Sequence, residues 1–365
     1  MNIFFVGQTG VLGTTPHEKR VYRLAQELGM RGQHAFVTSA TPKQLRRLNG
    51  FTMNHSASLI PETPGGLLYT ILSLQKAIRA NADVIHISDW KAAALGIFAA
   101  LLLPKATFVW TVDTLPTTRM IGRRLTVWFA ARLYDAIITP TRNLQYRFRL
   151  TFGIVPVYIP DGYDQPVISD IPASHWKLRK NQYLLTITDN AASLRTLMVS
   201  HKNSNSRRKI IALTQAITPA LRRLTKRYPL LTLIEATTSR QRASIIRQAK
   251  AVILPDTTAT QEELLVAMDA GKAVFAVSHP LYQEIAGTTV QFVDMHDQEH
   301  LVALLKDAAK QVGGSNKKAK RRAQAHFTWV RIFDEYETFY HYPVVQRVAI
   351  DSIGANRIIA SVPQG

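Results

Sequence analysis

Cysteine is absent from the chain, which excludes disulfides and thiolate metal sites and fits a reducing compartment. Acidic residues are scarce: 25 Asp and Glu face 45 Lys and Arg, a formal charge of +20. Such an imbalance favours anionic partners, namely phosphate-bearing substrates, anionic lipid surfaces or nucleic acid. The basic residues are scattered over both halves, and no zinc knuckle, RNP-like aromatic strand or basic zipper accompanies them, so nucleic acid is not favoured. Long apolar runs are lacking too. The longest, Ala92 to Leu103, ends at Pro104, short of the roughly 20 residues a membrane-spanning helix needs. The opening MNIFFVG has no basic stretch before its apolar residues and reads as a first strand, not a signal peptide. The expectation is a cytoplasmic protein, with peripheral contact to the inner membrane face as an option.

What is present is alternation. Asn2–Val6 reads as a strand and Pro16 suits a first helical turn. Val21, Leu24, Ala25 and Leu28 then keep helical spacing until Gly32. Ala35–Ser39, Val84–Ile87, Thr107–Val112, Ala136–Thr139 and Val157–Ile159 are further strand-like runs separated by helical segments. The polar, proline-bearing stretch Gly162–Lys180 reads as a linker. A second series follows at Tyr183–Ile187, Leu231–Glu235, Ala251–Leu254, Ala273–Val277 and Val290–Val293. This order predicts an α/β fold built on parallel sheets covered on both faces. His201–Lys209 reads as a mobile surface loop and Gly313–Arg322 as a basic hinge. Trp329, Ile332, Phe333, Tyr336, Phe339 and Tyr340 share one helical face near the end. The predicted division is 1–165, 166–325, a helix over 326–348 and a tail over 349–365.

Some residues bear on chemistry directly. The loop Gly7-Gln8-Thr9-Gly10-Val11-Leu12-Gly13 follows a strand and precedes a helix, as in dinucleotide-binding folds. However, Thr14-Thr15-Pro16 separates its last glycine from the helix, and no tyrosine is followed four residues later by lysine. A short-chain dehydrogenase would need that dyad. Asp294, His296, Asp297, Glu299 and His300 suggest metal ligands but fit a helix-capping loop better. Arg119–Leu133 interleaves Arg119, Arg123 and Arg124 with Trp128 and Phe129, a composition that suits an anionic lipid surface. A core helix with a solvated edge is the alternative.

Several segments, in order, are similar to GT-B glycosyltransferases of the family 4 type. The most telling is Leu254-Pro255-Asp256 through Val274, in which a buried strand leads by a polar loop into a helix carrying Ala267-Met268 and closing on Gly271. Pro16-His17-Glu18-Lys19-Arg20, Arg31-Gly32-Gln33-His34-Ala35, Asp83-Val84-Ile85-His86-Ile87-Ser88-Asp89-Trp90, Tyr134-Asp135-Ala136 and Ile159-Pro160-Asp161-Gly162-Tyr163-Asp164 resemble further family motifs.

The resemblance implies two Rossmann-like doubly wound domains facing a cleft, with the terminal helix crossing back onto the first. It implies a nucleotide-sugar donor on the second domain, an acceptor on the first, and no metal or other cofactor. The acceptor and phosphate loop would be Gly10, Gly13, Thr14 and Thr15. The donor would meet Asp256, Thr257, Thr258, Thr260, Gln261, Glu262, Glu263 and Arg195. Asp113 takes the place of the family's histidine as catalytic group. The departures are specific. The two signature glutamates fall at Thr258 and Val266, and the donor-phosphate Arg and Lys fall at Asp189 and at Leu194 or Arg195. Glu262 and Glu263 either replace the lost carboxylates in a shifted register or simply favour a helix N-terminus. Arg195, Arg207, Arg208 and Lys209 either bind phosphate or form a solvated basic loop. The expected function is sugar transfer in cell-surface polysaccharide, glycolipid or glycoconjugate synthesis, with an inactive GT-B-like scaffold subunit as the alternative.

Overall fold

A computed structural model describes residues 1–7, 15–39, 47–48, 51–55, 67–115, 121–164, 171–236, 238–310 and 316–342. The first lobe runs β1 (Asn2–Val6), α1 (Pro16–Met30), β2 (His34–Ser39), β3 (Arg47–Leu48), β4 (Phe51–His55), α2 (Leu67–Arg79), β5 (Val84–Ile87), α3 (Trp90–Leu102), β6 (Thr107–Thr111), α4 (Ile121–Leu133), β7 (Ala136–Thr139), α5 (Arg142–Phe152) and β8 (Val157–Tyr158). Its eight-stranded sheet has the order β3-β4-β2-β1-β5-β6-β7-β8. All neighbours pair in parallel except β3, which runs antiparallel to β4 at the edge, so the sheet is not wholly parallel.

The second lobe runs β9 (Tyr183–Ile187), α6 (Ala191–Asn203), β10 (Lys209–Thr214), α7 (Pro219–Arg227), β11 (Leu231–Glu235), α8 (Ser239–Gln248), β12 (Ala251–Leu254), α9 (Gln261–Asp269), β13 (Ala273–Val277), α10 (Pro280–Ala286), β14 (Gln291–Val293) and α11 (Gln298–Lys310). Its six strands are parallel in the order β11-β10-β9-β12-β13-β14. Both sheets are doubly wound, with helices on both faces. Strands such as β5, β9 and β12 are buried at every position, and that is why they read as continuous apolar runs rather than alternating ones.

Two last helices join the lobes. In α12 (Lys317–His326), Ala319 and Ala323, followed by Phe327, enter the core of the second lobe. In α13 (Trp329–His341), Ile332, Phe333, Tyr336 and Tyr340 pack with Ile3, Phe5, Val21, Leu24 and Ile138 in the core of the first. The crossing is pinned where the Tyr163 N–H donates to the Phe327 carbonyl at 3.0 Å. Gly162 lies against Trp329: a Cβ there would come within 2.6 Å of the indole Cδ2. Gly162→Ala is therefore expected to cost about 1–3 kcal/mol by overpacking a rigid ring, read as a lower urea midpoint with unchanged slope.

His86 links the strap to the sheet. Its Nδ1 meets the Tyr340 hydroxyl at 2.7 Å and its Nε2 the Thr111 hydroxyl at 2.8 Å. Burial, aided by the nearby charge of Arg20, lowers its pKa to about 3, so the ring is neutral in the fold. An unfolded chain takes up the proton near pH 6.5, so the folded state loses stability as pH falls from there towards 3. Unfolding free energies measured across that window should fall by a few kcal/mol in the native chain and show a flatter slope in His86→Gln.

Two expectations are corrected. His201–Asn203 is the last turn of α6, with His201 buried, and Lys209 opens β10; only residues 204–208 connect them. The run Ile210-Ile211-Ala212-Leu213 fills the sheet beside β9, which requires the helix before it to end close by. Of the expected hinge Gly313–Arg322, Gly313, Gly314 and Ser315 lie outside the described residues, and Lys317–Arg322 belongs to α12, because Ala319 and Ala323 give that basic segment an apolar stripe.

Candidate active site

The C-terminal ends of both sheets open onto one cleft of about 610 Å³, lined from the first lobe by His17, Lys19, Tyr22, Arg23, Asp113 and Asp161 among others, and from the second by Ser239, Thr260, Gln261 and Glu262. Strand order reverses between β1 and β5 in the first sheet and between β9 and β12 in the second, and ligands of doubly wound folds bind at such switch points.

The first-lobe wall is built by α1. Thr15 caps it, its hydroxyl accepting from the Glu18 N–H at 3.3 Å, and Lys19, Arg20 and Arg23 then project towards three different partners. Arg20 is only 2% exposed; its guanidinium donates to both oxygens of Asp161 at 2.5 and 2.9 Å and to Asp113 Oδ1 at 2.8 Å. Arg23 pairs with Asp164. Lys19 reaches across the cleft to Glu262 at 2.6 Å and Ser239 at 3.1 Å. A second bridge between the lobes runs from the Gln261 side-chain amide to the Asp161 carbonyl at 2.8 Å.

Asp113, at the end of β6, has its other oxygen 3.1 Å from His17 Nδ1. Burial alone would raise its pKa, but the Arg20 charge and hydrogen bond, with His17 in close contact, outweigh it and hold the carboxyl well below the usual range. Asp113 is thus a fixed anion and a weak proton acceptor. What it does hold is an imidazole at the mouth of the cleft.

The second-lobe wall is the loop after β12. The Asp256 carboxylate is consumed internally: one oxygen accepts from the Thr188 hydroxyl, the other from the Thr258 N–H at 2.9 Å. The Tyr282 hydroxyl ties the same loop by donating to the Ala259 carbonyl at 2.9 Å. Thr260 and Glu263 form a reciprocal capping box at the start of α9, and Arg242 pairs with Glu263. Glu263 is therefore a buried cap, and Glu262 is the carboxylate that faces the cleft.

Of the residues expected from sequence, Asp113, Thr260, Gln261 and Glu262 line the cleft, Thr15 starts the helix beside it, and Asp256, Thr257 and Thr258 shape the loop behind it. Gly10, Gly13 and Thr14 lie outside the described residues. Arg195 is an exposed residue of α6 away from the cleft lining, and Leu194 and Val266 are buried in the core. Arg207, Arg208 and Lys209 stand at the entry to β10, the opposite end of the sheet from the cleft, with Arg207 and Arg208 beside Lys306 and Lys310. The Asp189 side chain accepts from the Gln215 N–H at 2.7 Å. Asp294 and Asp297 accept from the N–H groups of His296 and His300, as a capping loop does. His17 and Lys19 lie in a segment that resembles a family motif but had been given no role, and Arg242, which pairs with Glu263, lies in none; for the first two the signal was His17, Lys19 and Arg20 gathered at the start of α1.

Two facing Rossmann-like lobes with a helix strapped back onto the first define the GT-B class, and comparison with known proteins agrees. Residues 17–165, most of the first lobe, match the profile of Glycosyltransferase Family 4, and the chain as a whole has the GT-B fold. No curated protein shows significant sequence similarity. Among solved structures, HepE of Anabaena with UDP and glucose superposes with a TM-score of 0.69 at 17% identity, covering 93% of this chain and 99% of that one. A glycosyltransferase from Rickettsia africae gives 0.70 at 13% identity, covering 94% and 99%. A UDP-forming trehalose-phosphate synthase from Burkholderia vietnamiensis gives 0.63 at 10% identity, covering 93% and 100%.

Proposed function

We propose that this chain transfers a glycosyl group from a nucleotide diphosphate sugar to a hydroxyl acceptor, with the donor on the second lobe and the acceptor on the first. The observation that carries this reading is the cleft itself: the first turn of α9, an anion-favouring helix N-terminus, faces the cation Lys19 and the His17–Asp113 pair across one gap. HepE was crystallised with UDP and glucose, which supports a uridine nucleotide as the first donor to try.

In this reading Lys19 changes partner. Glu262 holds it across the cleft, and a diphosphate entering at α9 would take its place, using Lys19 for the charge that Asp189 and Leu194 do not supply. The bond from the anomeric carbon to the β-phosphate oxygen breaks with its electron pair going to the phosphate, and Lys19 and the α9 N–H groups stabilise that charge. The acceptor hydroxyl forms the new bond and gives its proton to His17. Asp113 orients the imidazole through Nδ1, in place of the histidine this family carries on the β6 loop. Sugar transfer into cell-surface polysaccharide, glycolipid or glycoconjugate fits this chemistry, and no step requires a metal or cofactor.

Calorimetric titration with UDP- and GDP-sugars checks the reading. Saturable binding of one of them is expected, and Lys19→Ala should weaken it at least about tenfold, the worth of one charge-assisted contact. An absence of binding to either would overturn it in favour of the scaffold alternative.

A further inference from the structure

The two faces of the first sheet are covered very differently. On one lie α1 and α13; on the other lie α2, α3, α4 and α5, with α3 packed between α2 and α4. These four helices contain no aspartate and no glutamate at all. Outer positions that solvent-facing helices fill with mixed charge are instead apolar or basic.

The exposed apolar side chains lie on neighbouring helices, α2 packing on α3, α3 on α4 and α4 on α5. On α3, which has Lys91 as its one charged residue, Phe98, Leu101 and Leu102 are 65%, 63% and 67% exposed. On α4, Leu125, Trp128, Phe129 and Arg132 recur at one helical face, all exposed, and the Arg132 guanidinium sits 3.4 Å over the Trp128 ring. Leu68 and Ile71 continue the surface onto α2, and Tyr146 and Leu150 onto α5. An exposed patch of this extent marks an interaction surface. Its charged members, Arg79, Lys91, Lys105, Arg132, Arg147 and Arg149, are all exposed. The four acids in this part of the chain are spent elsewhere: Asp83 on the Asn2 N–H, Asp89 capping α3, Asp113 on Arg20 and Asp135 on the Phe108 N–H.

We infer that the outer face of α2 to α5 docks on an anionic lipid bilayer, lying in its interface without crossing it. A protein partner would match apolar side chains equally well, but the complete exclusion of acidic residues over four consecutive helices is complementary to a uniformly negative surface. Among the described residues no helix is long and apolar enough to span a membrane, which leaves interfacial binding. The placement differs from that expected for Arg119–Leu133 alone: Arg119 lies outside the described residues, as do the side chains of Arg123 and Arg124, and the apolar ridge centres on α3 and on Trp128 and Phe129 of α4. This inference is independent of the transferase reading.

Co-sedimentation of the full chain with phosphatidylcholine vesicles, with and without phosphatidylglycerol, tests it. The native protein is expected to pellet with the phosphatidylglycerol vesicles and to be released by salt. The double variant Phe98→Asp, Trp128→Asp should bind at least about tenfold more weakly, since binding scales with buried apolar area. Arg147→Glu with Arg149→Glu should weaken binding and flatten its salt dependence. The aspartate variant must keep the native melting temperature, both side chains being exposed, and its nucleotide-sugar titration should be unchanged. Native protein remaining in the supernatant at low salt would overturn the inference. So would binding indifferent to the aspartate pair, or a native dimer that the pair dissociates, which would assign the face to a second copy.

Discussion

Replacing His17 by alanine is expected to lower kcat by about 10²–10⁴, the usual worth of a positioned general base, while leaving donor affinity within a factor of about three. The argument is geometric. His17 opens α1 at the cleft edge, and its Nδ1 is turned to an Asp113 oxygen 3.1 Å away; the edge bearing Nε2 is the one left to substrate. Asp113→Asn should lose much of the same factor although its shape is conserved, because an amide does not fix the tautomer as a carboxylate does. Steady-state rates with the best donor, alongside donor titration of each variant, separate the two effects. If His17→Ala retains native kcat while Asp113→Asn does not, the imidazole is a spectator and Asp113 acts on substrate directly. A loss confined to donor affinity would move His17 from proton transfer to donor binding.

This pair also shows how far the site was legible beforehand. Asp113 stood out because it occupies a position where the family has histidine. His17 did not, because its relation to Asp113 depends on α1 folding back over the sheet that brings β6 near β1, and no local pattern encodes that. Lys19 and Glu262 are further apart still, on separate lobes. The capping box at Thr260 and Glu263 was readable from its spacing alone, since it closes within a single turn. Strands buried on both faces declared themselves as apolar runs. The exception was β10: Ile210 to Leu213 is such a run, yet the polar residues before it drew the segment towards a loop. The apolar and basic face of α2 to α5 was visible only as one basic and aromatic helix. Its real extent depends on α2, α3 and α5 lying side by side with α4, which the sheet order dictates.

Arg20→Met should be the most damaging single substitution to stability in this wall of the cleft, at about 3–5 kcal/mol. Arg20 is almost wholly buried and satisfies two carboxylates at once, bidentate to Asp161 and single to Asp113. Methionine would fill much of the volume, so lost packing is a small part of the cost; two partly buried anions left facing each other are the larger part. Arg20→Lys should recover less than half, because an ammonium cannot present the planar fork that Asp161 accepts. The decisive comparison is a cycle with Asp161→Asn. If orphaned charge is the cause, Arg20→Met combined with Asp161→Asn will be less destabilised than the sum of the single changes by at least about 1 kcal/mol, measured by urea unfolding at neutral pH. Strict additivity would mean that Arg20 contributes through packing against Tyr336 and its neighbours instead. The same substitution removes the main cause of the lowered Asp113 pKa and the hydrogen bond that fixes its carboxylate, so the activity of Arg20→Met should fall as Asp113 loses its fixed position beside His17, even where the variant remains folded.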